Sequence, residues 1–254
     1  MFNLNNKVAI VTGAAGGIGL ELVKTFSKMN VNVIAVDKSD KLDKTIDTIG
    51  LDTSKYISII SDLTQDDDIT NILKQTIDKY GKVDILVNCA GVNVRKELKN
   101  YTNADWDLIQ NVNVKAIFNF SNRVSEIMKK QKKGRIINLS STQGVTCWNG
   151  KGRFSLAPYC ASKASVIALT KAFALDLAKY GITVNAVCPA FVDTELVKPV
   201  KDDKELYEDI VSRTPVGRFA TIQEIVAPII FLSSNESSFI TGHSLMVDGG
   251  WTIE

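Results

Sequence analysis

The chain has 254 residues, 45% of them hydrophobic and 23% charged, values of a globular protein long enough to bury a full core. Thirty Lys and Arg against 28 Asp and Glu leave a net charge of +2, so no bulk field recruits nucleic acid. Four scattered cysteines and one histidine argue against a disulfide framework and against any metal site.

The first element is the β-branched run Val8-Ala9-Ile10-Val11-Thr12. It is followed by Gly13-Ala14-Ala15-Gly16-Gly17-Ile18-Gly19 and then by Leu20–Phe26, which has helical periodicity. Strand, glycine-rich turn and helix is the context that a dinucleotide-binding turn requires. Gly13 permits the tight turn. Gly17 and Gly19 let backbone approach a pyrophosphate and let helix pack on sheet. The helix N-terminus offers N–H groups and a positive dipole to phosphates. The second strand, Val31–Val36, ends in Asp37. A carboxylate there accepts ribose hydroxyls and repels a 2′-phosphate, which favours NAD over NADP. Lys38 is read as a solvated turn lysine.

The alternation continues to the end of the chain. Strands are predicted at Tyr56–Ser61, Val83–Val87, Arg135–Ser140, Thr183–Cys188 and Leu245–Val247. Helices are predicted through Ile69–Lys74, over about 104–131, up to Tyr180 with Gly181 as the stop, and near 221–234. The polar stretch 192–217 lacks clear periodicity at its start and reads as the least ordered segment. Buried strands alternating with helices predict a single-domain α/β fold over 1–254. It is a Rossmann-like, doubly wound parallel sheet of about seven strands with helices on both faces. No run reaches transmembrane length, and the N-terminus shows no secretory pattern. A cytoplasmic protein with reduced cysteines is expected.

Tyr159 and Lys163 stand four residues apart on one predicted helix, hence on one face. An ammonium beside a phenol favours phenolate, which is expected to lower the Tyr159 pKa toward neutrality and suit it to general acid/base work. Ligands of doubly wound sheets bind beyond the carboxyl ends of the strands. That rule gathers Gly13, Asn88, Ser141 and Pro189, and brings the Ser141 hydroxyl near that of Tyr159.

On Thr12-Gly13 with Gly17 and Gly19, Asp62-Leu63, Asn88-Cys89-Ala90-Gly91, Asn111-Val112-Asn113, Ser140-Ser141, Tyr159-Cys160-Ala161-Ser162-Lys163, Val184-Asn185 before Pro189, and Val247-Asp248-Gly249-Gly250, the chain resembles the short-chain dehydrogenase/reductase family over essentially its whole length. The resemblance implies a catalytic tetrad of Asn113, Ser141, Tyr159 and Lys163. Tyr159 would exchange a proton with the substrate oxygen as hydride moves between carbon and nicotinamide. Ser141 would orient that oxygen and stabilise its charge. Lys163 would hold the nicotinamide ribose, and Asn113 a relay water. Gly13, Gly17, Ile18, Gly19, Asp37, Asp62, Leu63, Asn88, Ala90, Pro189, Val192 and Thr194, with Tyr159 and Lys163, would contact the cofactor. Two positions depart from the family pattern: Cys89 replaces a second Asn, and Ala190 replaces a Gly. The four-residue Tyr–Lys spacing excludes the enoyl reductases, whose spacing is wider. The glycine spacing excludes the epimerase/dehydratase branch.

Relative to the family, the segment 142–158 is long. It is expected to cover the substrate, as is 192–217, with Lys151, Arg153 and Arg95 meeting an anionic group, Trp148 packing on a sugar-like face and Gln143 beside them. The expected enzyme is an NAD-dependent oxidoreductase acting on a secondary alcohol or ketone, namely a polyol, sugar, sugar acid or hydroxy acid. The alternatives are a 3-oxoacyl-carrier-protein reductase and a non-catalytic NAD(H) sensor. His243 reads as a turn residue, and Trp251 as a packing or interface residue. The family usually forms homotetramers through long helices, and Ala164, Ala168, Ala172 and Ala174 offer small residues for such contact.

Overall fold

The computed structural model describes residues 2–50 and 52–253. Its strands are β1 (Val8–Thr12), β2 (Asn32–Asp37), β3 (Tyr56–Ile60), β4 (Ile85–Asn88), β5 (Gly134–Leu139), β6 (Ile182–Pro189) and β7 (Ser244–Val247). Between them run α1 (Gly17–Lys28), α2 (Leu42–Asp47), α3 (Asp66–Tyr80), α4 (Asn103–Gln110), α5 (Ala116–Gln131), α6 (Ala157–Leu177), α7 (Lys198–Lys201), α8 (Lys204–Ser212) and α9 (Ile222–Ser233). The seven strands form one sheet in the order β3-β2-β1-β4-β5-β6-β7, and every neighbouring pair is parallel. The order reverses between β1 and β4, which opens a crevice above their carboxyl ends.

Alternation along β1 shows why both faces are covered. Ala9 and Val11 point to one side, where Leu22, Val23 and Phe26 of α1 and Ile225 and Ile229 of α9 pack. Val8 and Ile10 point to the other, against Ile69 and Ile72 of α3 and Phe120 and Val124 of α5. Phe26 and Phe120 are fully buried, and each contributes about 1.5–3 kcal/mol through apolar area removed from water.

The predicted strands and long helices are all present. The 104–131 region is two helices joined through one π turn, Asn111–Lys115. The segment 192–217 differs from its expectation. It carries α7 and α8, and Val200, Leu206 and Ile210 pack with Trp148, Leu156 and Trp251 into a small separate core above the sheet. Its apolar residues are too few for a clear period, and partners distant in the chain complete the core. Trp251 is buried there, edge-on to Phe191 at 5.1 Å, with the Arg213 guanidinium 4.7 Å from its ring centre. Among the described residues no helix is long and apolar enough to cross a membrane.

Candidate active site

The glycine turn is built as a cradle. Gly13 has φ +69°, and a Cβ there would lie 2.9 Å from the Ala90 backbone. A Cβ on Gly19 would collide with the Gly13 carbonyl. Thr12 Oγ1 accepts the N–H groups of Cys89 at 3.0 Å and Ala90 at 3.1 Å, which fastens the exit of β4 to this turn. No side chain caps the start of α1, where Gly16 is the N-cap residue, so its first-turn N–H groups face the crevice.

Two cavities flank the cradle and share Gly91. The first, of about 230 Å³, is lined by Gly13, Asp37, Asp62, Leu63 and Ala90, all expected to contact the cofactor. Asp37 accepts N–H groups from Ala15 and Ser39, each at 2.9 Å. Lys38 is exposed, as expected of a turn lysine, and its Nζ also stands 2.8 Å from Asp62 Oδ2. That ammonium, with bonds from Thr64, holds the Asp62 carboxyl below its ordinary range. Asn88 also differs from expectation. Its side chain turns into the sheet, donating to Asn138 Oδ1 at 2.8 Å and Ser121 Oγ at 3.0 Å. An amide at the centre of a parallel sheet must find internal partners, and these take both Nδ2 hydrogens.

The second cavity, of about 150 Å³, holds Ile18, Ser141, Tyr159, Lys163, Pro189, Val192 and Thr194. Ser141 Oγ donates to the Pro189 carbonyl at 3.3 Å and lines the cavity together with Tyr159. Lys163 Nζ donates to the Leu139 carbonyl at 2.8 Å and lies 5.5 Å from the Tyr159 ring centre. The π turn aims the buried Asn113 at the same place. Its Oδ1 accepts the Val92 N–H at 2.8 Å, and its Nδ2 donates to Val92 O and Ser162 Oγ. Gly91 sits where Asn113 and Lys163 meet, since a Cβ on it would be 3.4 Å from Asn113 Oδ1 and 3.5 Å from Lys163 Nζ. All four tetrad residues are therefore brought together.

The electrostatics depart from the expected phenolate. Burial pushes the Tyr159 phenol up to about 12, against the smaller opposing pulls of Ser141 and Arg95. Burial also brings Lys163 down to about 8. The sequence shows a cation one turn away, but desolvation is the largest influence on the phenol here. Cys89, at the departing position, lines this cavity, and burial pushes its thiol up to about 12.

The residues expected at the substrate divide. Arg95, Gln143 and Trp148 line the catalytic cavity. Lys151 and Arg153 do not. Lys151 Nζ pairs with Glu205 at 2.9 Å, and Arg153 pairs with Asp203 at 2.7 Å and with Glu205. Both cations are spent fastening the 142–158 segment to α8. Trp148 is buried, with its Nε1 donating to Asp209 Oδ2 at 2.8 Å. Two further cavity residues, Asn93 and Thr142, escaped the sequence reading. Asn93 Oδ1, Thr142 Oγ1 and Gln143 Nε2 are buried without a hydrogen-bond partner. Their positions just beyond the ends of β4 and β5 are the signal that could have found them.

A parallel doubly wound sheet, a glycine cradle at its switch point and a Ser–Tyr–Lys cluster beside it define a nucleotide-dependent oxidoreductase site. A family model described as Enoyl-(Acyl carrier protein) reductase matches residues 13–252. The 3-oxoacyl-[acyl-carrier-protein] reductase FabG of Thermotoga maritima is 37% identical over 98% of this chain and 99% of its own length. Gluconate 5-dehydrogenase of Gluconobacter oxydans is 33% identical over 100% of this chain and 97% of its own. The crystal structure of a gluconate 5-dehydrogenase from Burkholderia cenocepacia, in complex with NADP and tartrate, superposes with a TM-score of 0.90 at 31% identity, covering 100% of this chain and 98% of that one. The chain belongs to the short-chain dehydrogenase/reductase family. It is an oxidoreductase of CH–OH groups, interconverting secondary alcohols and ketones.

Proposed function

We propose that the protein transfers hydride between NAD and a small acidic polyol, such as a sugar acid or hydroxy acid, or its ketone. The observation that carries the substrate class is Arg95. It lines the catalytic cavity, donates to the Leu196 carbonyl at 3.2 Å, and has no carboxylate partner among the described residues. A half-buried guanidinium with no carboxylate partner is partly desolvated, and an anion meeting it offsets that cost. The unpartnered amide of Gln143 and carbonyl of Asn93 add a donor and an acceptor suited to hydroxyl groups. The segments 142–158 and 192–217 wall this space.

The cradle and the paired cavities fit a dinucleotide, whose nicotinamide supplies or accepts the hydride when bound. The protein's own groups handle the proton. The Tyr159 phenol is held protonated up to about 12, so it is a ready proton donor to a carbonyl oxygen. For oxidation it must give that proton up, and positive charge beside it favours the phenolate. Lys163 and Arg95 are the protein's cations there. Ser141, anchored on Pro189, orients the substrate oxygen and stabilises its developing charge. Asn113 and Lys163 flank Gly91, where a water would pass protons toward solvent. NAD is favoured over NADP by the Asp37 carboxylate, because the adjacent cation, Lys38, is turned to Asp62.

A second reading, 3-oxoacyl-carrier-protein reduction, is favoured by the FabG relative. One screen separates the two: sugar acids, hydroxy acids, polyols and a 3-oxoacyl thioester, each with NAD(H) and NADP(H), followed by nicotinamide absorbance. Turnover of an acidic polyol with NAD is the expected result. Turnover of the thioester with NADPH alone would replace it with the second reading. We also propose a homotetramer built on α5 and α6, whose exposed residues include Phe118 and Leu175.

A further inference from the structure

The segment between β5 and α6 brings together two thiols that the reaction leaves unused. Cys147 is exposed and Cys160 is buried. Cys160 lies at the end of the first turn of α6, directly after Tyr159, and its Sγ stands 3.7 Å from Gln143 Oε1. The same oxygen accepts the backbone N–H of Trp148, the residue after Cys147, at 2.9 Å. Gln143 thus draws both cysteine-bearing segments to one point. Cysteines on segments held at one point can be bridged with local backbone adjustment once their Cα atoms come within about 7 Å.

We propose that Cys147 and Cys160 form a reversible disulfide, a redox modification site beside Gln143 and Trp148 of the substrate cavity. The oxidant is a low-mass disulfide. The exposed Cys147 thiolate attacks one of its sulfurs, which forms a mixed disulfide and releases one thiolate. Cys160 then gives its proton to solvent and attacks the Cys147 sulfur, expelling the second thiolate. Two protein thiols are oxidised by two electrons, and the low-mass disulfide is reduced to two thiols that take up the two protons. Exposure sets the order. Burial pushes the Cys160 thiol up to about 12, so it reacts second.

The bridge removes the Cys160 contact from Gln143 and restrains the residue before Trp148. Gln143 and Trp148 both line the catalytic cavity, so oxidation is transmitted to the substrate. Only this kinetic consequence rests on the function proposed above.

The test oxidises the full-length protein with oxidised glutathione. Trypsin cuts at Lys151 and Arg153, between the two cysteines, so the Cys147 and Cys160 peptides stay together without reductant only if bridged. The expected result is that linked pair, an intact mass lower by two hydrogens, and a change in Trp148 fluorescence. A fall of about tenfold in kcat/KM is also expected, all reversed by dithiothreitol. Cys147→Ser is expected to keep basal activity and lose every response. A glutathione adduct persisting on Cys147 with Cys160 free would overturn the proposal. So would a bridge that changes neither fluorescence nor rate. If the acidic polyols are not substrates, peptide mapping and fluorescence still decide the disulfide.

Discussion

Lys163 is held with its ammonium out of water, and that burial has a consequence for stability. Its folded-state pKa is about 8, against an ordinary 10.5. Below pH 8 both folded and unfolded chains hold the proton, and the folded state carries the cost of a buried charge. Between pH 8 and 10.5 the unfolded chain binds more protons, so this residue's contribution to stability rises with pH. Tyr159 acts in the opposite sense at higher pH: with a folded value of about 12, its contribution is lost as pH rises through that value. Thermal unfolding of the wild type and Lys163→Met at pH 7 to 10 isolates the lysine. The wild type is expected to gain on the variant across that range, and a constant difference would mean that Lys163 stays charged. Tyr159→Phe removes the proton donor and keeps the ring. A loss of at least about a thousandfold in kcat with cofactor binding intact is expected, measured by steady-state turnover and NADH fluorescence. Retained turnover would remove Tyr159 from the proton step.

The 142–158 segment is clasped from both sides. Ser155 N–H donates to the Lys96 carbonyl at 2.7 Å, and the Tyr101 hydroxyl donates to the Ser155 carbonyl at 2.8 Å. On the far side Lys151 and Arg153 meet Asp203 and Glu205 of α8. These ion pairs are exposed and therefore screened by salt. Arg153→Ala is expected to leave KM within about threefold and to speed amide hydrogen exchange in α8, with the difference shrinking at high salt. If Arg95 meets an acidic substrate as proposed, Arg95→Ala deletes a charge-assisted bond, and KM is expected to rise about 10- to 100-fold with kcat little changed. Equal KM effects from the two variants would contradict this division of roles. The strands were legible because β-branched runs bounded by turn residues are local signals. The tetrad was legible as a set only through the family motifs, while the Tyr159–Lys163 spacing and the strand-end place of Ser141 are local signals. The Arg153–Asp203 pair was not, because it joins residues fifty positions apart that only the folded chain brings together. The Tyr159 pKa differs from its expectation for the same reason, since the cluster it packs against, which includes Trp148, Leu206 and Trp251, is drawn from distant parts of the chain.

Across the whole molecule, α6 shows why one copy of the chain leaves a surface unexplained. Ala164, Ala168, Ala172 and Leu175 are exposed along this 21-residue helix. Ala174, grouped with the other alanines in the sequence reading, is instead buried against the sheet. Leu175 is 83% exposed, and Phe118 of α5, 45% exposed, packs on Phe173 with ring centres 5.9 Å apart. Large apolar side chains at the edges of a stripe of small ones let two helices approach closely. A symmetric pair of such helices buries the same stripe on both copies. A helix of this length spans roughly 30 Å, enough for an interface of standard size. Sedimentation of the wild type is expected to give a tetramer of the 27.8 kDa chain. Ala168→Glu with Leu175→Glu places four carboxylates at each symmetric contact, and a dimer is expected. The fold is expected to survive, because neither side chain packs in the interior. A monomeric wild type would remove this interface, and a tetrameric double variant would move it to another face of the molecule.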